Sequence, residues 1–246
     1  MVITNIRSSA NKPVLSRTEI GRMFDRIASR YDLLNHLLSF GQDVMWRNSA
    51  VKHLSDKPDQ IVLDAATGTG EMLLALLRKN SNIKAAVGID MSENMLTVGL
   101  QKIKKRRLNN TVMLMPGDAG NIPFIGNSCD AVTMAFGIRN VSNVQAVLKD
   151  IYRVLKKKGK VIILEFSLPE NKFIKRLYLF HFRRILPVMG TIISGYRYAY
   201  RYLNQTVESF PYGIAFCELL LDAGFQNVYN YPMTFGIVTI YCGEKP

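Results

Sequence analysis

The feature that most limits how this chain can fold is an alternation that begins at Ile61. Short apolar runs recur at Ile61 to Asp64, Ala85 to Ile89, Thr111 to Met115, Ala131 to Phe136 and Val161 to Phe166. Helical spacing intervenes: Glu71 to Lys79 turns Leu73, Leu74 and Leu77 inward. Ser92 is a helix N-cap with Glu93 in the first turn of a helix running towards Lys105. Asn143 to Leu155 repeats the helical period and stops at Lys156-Lys157-Lys158-Gly159, a cationic end with glycine as terminator. Strands alternating with helices predict a parallel sheet wrapped on both faces. A further helix, from about Ser209 to Ala223 and closed by Gly224, precedes the runs Val228 to Met233 and Gly236 to Cys242. These two lie too close together for a crossover helix, so they pair antiparallel. The expected fold is α/β: a doubly wound, mostly parallel seven-stranded sheet ending in a C-terminal antiparallel hairpin.

Around this pattern the chain is uneven. Residues 1–18 read as a loose polar arm, Glu19 to about His53 has helical apolar spacing, and Lys57 to Gln60 is a polar connection. Cys129, Cys217 and Cys242 are odd in number and widely spaced, which argues for a reducing compartment and against a disulfide framework. Neither they nor His36, His53 and His181 show metal-ligand spacing, so no metal is expected. No apolar stretch approaches the ~18–20 residues that span a bilayer, and the first twenty residues lack the apolar core of a secretory signal. A cytoplasmic location follows. The formal net charge of +13 suits an anionic partner: nucleic acid, an anionic lipid surface or an acidic substrate.

The chemistry gathers at the ends of the first three strands. Val62-Leu63-Asp64-Ala65-Ala66-Thr67-Gly68-Thr69-Gly70 is an apolar strand, an acid and a glycine turn opening a helix. Such a turn admits a ligand close to the backbone and offers it the helix N–H groups. The dinucleotide fingerprint G-x-G-x-x-G lacks its third glycine, because position 73 is Leu. Asp90, 20 residues after Gly70, is placed to accept from ribose hydroxyls, and Asp118 in Gly117-Asp118-Ala119 from an adenine amino group. In a doubly wound sheet these strand ends form the ligand crevice. Carboxylates there repel a pyrophosphate and suit a sulfonium. The ligand is therefore read as S-adenosylmethionine, its ammonium near Asp64 and its carboxylate near the helix N-terminus.

Asp64 to Gly70, Gly88-Ile89-Asp90-Met91-Ser92 with Met95-Leu96, and Gly117-Asp118-Ala119 before Ile122-Pro123-Phe124 resemble the class I S-adenosylmethionine methyltransferases, whose sheet is Rossmann-like. More specific segments are Met23-Phe24-Asp25-Arg26-Ile27-Ala28, Tyr31-Asp32, Leu34-Asn35, Leu38-Ser39-Phe40-Gly41 and Trp46-Arg47. With them go Ala135-Phe136-Gly137-Ile138-Arg139-Asn140-Val141, Leu164-Glu165-Phe166-Ser167-Leu168-Pro169, Ala199-Tyr200-Arg201-Tyr202-Leu203 and Gly236-Ile237-Val238. From about residue 19 to the C-terminus the chain is similar to the ubiquinone/menaquinone biosynthesis C-methyltransferase family. Thr67, Glu71 and Tyr196 depart from its usual pattern. The resemblance implies methylation of a ring carbon of a reduced prenylated quinone, demethylmenaquinol to menaquinol, with the ubiquinone-pathway benzoquinol as the alternative acceptor. It also implies cofactor contacts at Thr69, Asp90, Asp118 and Ala119; Asp64, Gly68, Gly70 and Met91 complete the expected cofactor set.

A phenol must ionise for its ring carbon to attack a sulfonium methyl, which costs about 4 kcal/mol at pH 7. Arg139 is the expected oxyanion stabiliser, since a guanidinium stays charged at neutral pH and does not act as the base itself. Asn140 is its hydrogen-bonding neighbour, and a water held with Tyr31 relays the proton. Glu165 is a candidate orienter, and His36 a less favoured base.

Between Glu170 and Leu203 lie seven Lys/Arg and eight Phe/Tyr, bracketing the uncharged run Ile185 to Tyr196. This segment is too short to cross a bilayer but suits its surface, so contact with the inner face of the cytoplasmic membrane is expected. The chain divides as one methyltransferase domain over 1–246: a helical lid at 19–56, a cofactor-binding core at 57–169, the basic aromatic insertion at 170–204, and a helix and hairpin at 205–246. An RNA methyltransferase also suits the charge, but no RNA-binding module appears, and no nucleic-acid partner is expected. An adenosyl-binding module without catalysis and a homo-oligomeric state both stay open.

Overall fold

The computed structural model describes residues 17–80, 82–188, 191 and 197–246. The N-terminal polar arm, Tyr196 and much of the uncharged run before it therefore lie outside the described residues. The described chain opens with α1 (Arg17–Leu38) and α2 (Gln42–Val51). Sequence spacing reads as continuous helix here. The break comes at Phe40 and Gly41, whose φ angles of 54° and 76° end one helix and redirect the next.

The alternating region follows as β1 (Gln60–Ala65), α3 (Glu71–Lys79), β2 (Ile83–Asp90), α4 (Glu93–Lys105), β3 (Val112–Pro116), β4 (Cys129–Ala135), α5 (Val144–Val154) and β5 (Leu155–Phe166). Next come α6 (Lys172–Phe180), a wide helical turn (His181–Ile185), α7 (Arg197–Ser209), α8 (Ile214–Asp222), β6 (Gln226–Met233) and β7 (Val238–Glu244). The described residues form a seven-stranded sheet in the order β3-β2-β1-β4-β5-β7-β6. Strands β1 to β5 run parallel, and β7 is antiparallel to both β5 and β6. The strand order reverses between β1 and β4, which opens a crevice at their carboxyl ends.

The expected cap holds at Ser92, whose hydroxyl accepts from the Met95 N–H, and the structure adds a second, Asn143, which caps α5 through the Ala146 N–H. One boundary differs. Lys156 to Gly159 is not a helix end, because α5 stops at Val154 and Leu155 already pairs with Cys129. The intervening residues bulge before Lys160 pairs with Ala131. The reason is tertiary: the Lys158 N–H donates to Lys245, Lys245 returns a bond to Gly159, and Lys156 Nζ reaches Asp130 at 2.8 Å. Likewise the helix expected from Ser209 begins only at Ile214, since Ser209 ends α7 and Pro211 interrupts.

The sheet is buried on both faces. Along β1, Val62 packs into a layer with Ala50, Leu73 and Ile162, while its neighbour Leu63 packs into the opposite layer with Ile151, Phe216 and Tyr241. Each fully buried aliphatic side chain contributes roughly 1.5–3 kcal/mol. That core holds the strand ends, and so the crevice, in place.

Candidate active site

The β1–α3 turn needs left-handed backbone, with φ of 52° at Ala66, 57° at Gly68 and 78° at Gly70. The Gly68 N–H donates to Asp90 Oδ2 at 2.8 Å and the Ser92 N–H to Asp90 Oδ1 at 2.9 Å. The Asp90 carboxylate is thus tied to two neighbouring loops, and burial raises its pKa. Asp118 accepts from the Gly120 N–H at 2.8 Å. Together these loops line a cavity of about 110 Å³ at the strand ends, whose wall includes Gly68, Asp90, Met91, Asp118 and Ala119. Ser92, Gly117, Gly137 and Val141 also line the strand-end cavity and were not foreseen, although Ser92 and Gly117 flank residues that were. Among the described residues that line it there are two Asp and no Lys or Arg. That donor set fits a cationic adenosyl ligand and opposes a phosphate chain.

Three expected residues sit elsewhere. Asp64 is 1% exposed and lies outside the cavity lining. Its two oxygens accept from Thr67 Oγ1 and Thr133 Oγ1, both at 2.6 Å, so Asp64 braces the turn from below. Burial pushes its pKa up to about 6 against those two bonds. Gly70 N-caps α3, and Thr69 Oγ1 donates to Asp32 Oδ1 at 2.6 Å.

That last bond belongs to a set that fastens α1 across the site. Lys102 Nζ lies 2.5 Å from Asp32 Oδ2 and 2.7 Å from Glu71 Oε1. The Ser92 hydroxyl donates to Asp25 Oδ1 at 2.6 Å. Met23, Ile27 and Ala28 bury their side chains beside Met95 on α4. Helix α1 therefore roofs the crevice and brings Tyr31 over it.

Beyond Tyr31 is the larger, apolar cavity, about 180 Å³, walled by Leu34, Leu38, Trp46, Phe136, Phe166, Phe182 and Leu186. Phe40 also lines it while remaining 76% exposed, so the cavity reaches the surface there. Arg139 and Asn140 enter from the short turn after β4. Arg139 Nη1 donates to Glu165 Oε1 at 2.6 Å and to the Phe136 carbonyl at 2.7 Å, and the guanidinium lies 5.3 Å from the Phe166 ring centroid. Glu165 is fully buried and holds that arginine in place. Arg139 Nε and Asn140 Oδ1 are buried without partners. A second buried pair, Arg47 Nη1 with Asp43 Oδ2 at 2.7 Å, also lines this cavity; only the Trp46-Arg47 motif hinted at it. His36 meets the far oxygen of Asp43 at 3.1 Å but lines neither cavity.

The carboxylate-rimmed cavity and the apolar one share Phe24, Tyr31, Phe136 and Asn140 as lining residues. A ligand in each would meet across that common wall. Arg139, Asn140 and Tyr31 all border the apolar side, and the latter two border both.

Comparison with known proteins matches residues 12–245 to the ubiE/COQ5 methyltransferase family. The chain is 42% identical to the ubiquinone/menaquinone biosynthesis C-methyltransferase UbiE of Geotalea daltonii, over 92% of this chain and 96% of that protein. It is 41% identical to the demethylmenaquinone methyltransferase of Thermus thermophilus, over 91% of this chain and 100% of that one. Among solved structures, a SAM-dependent methyltransferase from Thermotoga maritima superposes with a TM-score of 0.64 at 20% identity, covering 92% of this chain and 100% of that one. One from Aquifex aeolicus gives 0.58 at 19%, covering 81% and 89%. At such identities the structural likeness speaks for the fold.

Proposed function

The chain belongs to the ubiE/COQ5 methyltransferase family, and from that premise we propose that it methylates a ring carbon of a reduced prenylated quinone, demethylmenaquinol to menaquinol, using S-adenosylmethionine. The observation that carries this reading is the shared wall between a cavity suited to a cation and one suited to a greasy aromatic ring. When bound, S-adenosylmethionine supplies an electrophilic methyl group. Asp90 and Asp118 present carboxylate oxygens to ribose hydroxyls and an adenine amino group, while Gly68, Met91 and Ala119 wall the adenosine.

On the other side of the wall, Arg139 stabilises the ionised quinol oxygen. Glu165 partly neutralises its charge, so the effect rests on an oriented donor: the unspent Nε–H, pre-placed in a site shielded from water. Asn140 Oδ1 holds a water, and Tyr31 completes the relay that takes the quinol proton away. Helix α1 excludes bulk solvent, and the quinol's tail leaves past Leu34, Leu38 and Phe40. Residues 1–246 act as one domain in this reading, since β6 and β7 complete the sheet that β1 begins.

The tail's exit also supports contact with a membrane surface. Phe173, Leu177 and Phe180 form a helical stripe on α6 that is 76%, 62% and 59% exposed, beside the exposed cations Lys172 and Arg176. Phe40 reaches the same region through its 6.1 Å contact with His181. This surface fits an anionic lipid leaflet, the inner face of the cytoplasmic membrane. No described helix is long and apolar enough to cross a membrane.

The deciding experiment is transfer of a labelled methyl from S-adenosylmethionine to reduced demethylmenaquinone and to the corresponding benzoquinol, with product masses recorded. Gain of one methyl on the naphthoquinol ring is expected. Methylation of neither acceptor overturns the reading.

A further inference from the structure

Tyr178 stands on α6, in the basic aromatic segment that the sequence assigns to no reaction. Its ring lines the apolar cavity and stacks on Phe182, with centroids 5.1 Å apart and planes inclined by 26°. Its hydroxyl is shut off from solvent and has no hydrogen-bond partner. A buried hydroxyl left unpaired carries its full desolvation cost, so a site that retains one has another use for it. Burial pushes the phenol's pKa up, against the pull of Arg139, so the group keeps its proton and can donate.

The same cavity is lined by Arg139 and Asn140, whose Nε–H and Oδ1 are likewise buried without partners. Those two come from the turn after β4, whereas Tyr178 comes from α6. A largely apolar pocket that also carries unpaired polar groups on different elements fits a flat ring bearing polar atoms at separate positions. A quinol has two such atoms, and Arg139 accounts for one.

We infer that Tyr178 positions the substrate by hydrogen-bonding the quinol oxygen that is not ionised. With one oxygen held by Arg139 and the other by Tyr178, the ring is fixed in its plane and the carbon to be methylated faces the shared wall. This assignment rests on the quinol reading, and its test separates the two.

Tyr178→Phe removes one oxygen and keeps the ring. For the diol substrate its kcat/KM falls by about tenfold, the equivalent of one hydrogen bond of ~1.4 kcal/mol. The dissociation constant for S-adenosylmethionine stays unchanged, and the thermal midpoint does not fall, because an unpaired hydroxyl has been removed. The second arm uses an acceptor of the same prenylation whose remote hydroxyl is replaced by hydrogen. Wild type loses a similar factor on it, and Tyr178→Phe treats it no worse than wild type does. Equal kcat/KM of both proteins on the diol overturns the inference, as does an equal loss by the variant on both acceptors, which would mark a role in shape alone. The wild-type comparison of the two acceptors needs no variant, and a wild type that does not distinguish them also overturns it. A wild type that methylates neither fails the quinol reading, and this assignment falls with it.

Discussion

Arg139 and Glu165 are bound to each other in the interior, so the catalytic and the structural effects of either must be separated. Arg139→Ala is expected to lower turnover by about 100- to 1,000-fold, the usual cost of losing an oxyanion donor. Its affinity for S-adenosylmethionine, measured calorimetrically, should hold, because Arg139 does not line the carboxylate-rimmed cavity. The same change strands the Glu165 carboxylate and should cost about 3–5 kcal/mol of stability. Adding Glu165→Gln should recover the stability but not the turnover. Equal losses of turnover and cofactor affinity would count against the assigned role.

Asp64 gives a pH signature of its own. Its carboxyl titrates at about 6 in the folded chain against a normal 3.8, so the native state holds the proton more tightly than the unfolded state does. Its contribution to stability is complete below pH 3.8 and is lost as pH rises through about 6. That difference corresponds to about 3 kcal/mol. Urea midpoints of Asp64→Asn should therefore gain on wild type as pH rises across this window. A difference that stays flat with pH would refute the assignment. These residues also mark how far the sequence could be read: the Asp64, Asp90 and Asp118 positions were visible as strand-end acids. That Asp64 is bound by two threonines depended on Thr133, 69 residues away.

At the level of elements, α1 is held by hydrogen bonds and an ion pair to the β1–α3 turn and to α4 with its cap, as well as by packing. Asp32 is the hinge of that arrangement, bound to Thr69 and Lys102 at once. Asp32→Ala should speed amide hydrogen exchange in α1 by about tenfold, leave the sheet's protection unchanged, and weaken the cofactor site. Exchange in α1 as slow as in wild type would mean that apolar packing alone seats the lid. The sheet side of the site depends on close approach. A Cβ at Gly88 would stand 2.6 Å from Leu114 and 2.8 Å from Leu73 and Thr67. Gly88→Ala should lower stability by about 1–3 kcal/mol, read from chemical denaturation. The cap of α4 was legible because capping is local. The break between α1 and α2 and the strand start at Leu155 were not, since the first rests on a backbone turn and the second on pairing with the C-terminal end.

For the whole molecule, the insertion covers the apolar cavity on one side and presents α6 to the outside on the other. Phe173→Glu with Leu177→Glu should abolish co-sedimentation with anionic vesicles and leave turnover of a short-tailed quinol unchanged, since neither residue lines either cavity. Binding of wild type to those vesicles should weaken as salt rises. Wild type that ignores anionic vesicles would remove the surface-contact reading while leaving the chemistry intact.

The sequence by itself determined the alternating sheet, the glycine turn with its strand-end acids, and the antiparallel finish, because each follows from the period of apolar residues or from a turn a few residues long. Tertiary structure alone decided which polar atoms remain unspent. Whether Arg139 Nε, Asn140 Oδ1 and the Tyr178 hydroxyl find partners depends on groups brought together from β4, β5 and α6. Hydrogen-bond satisfaction is a property of the packed interior, and no local pattern of residue types records it.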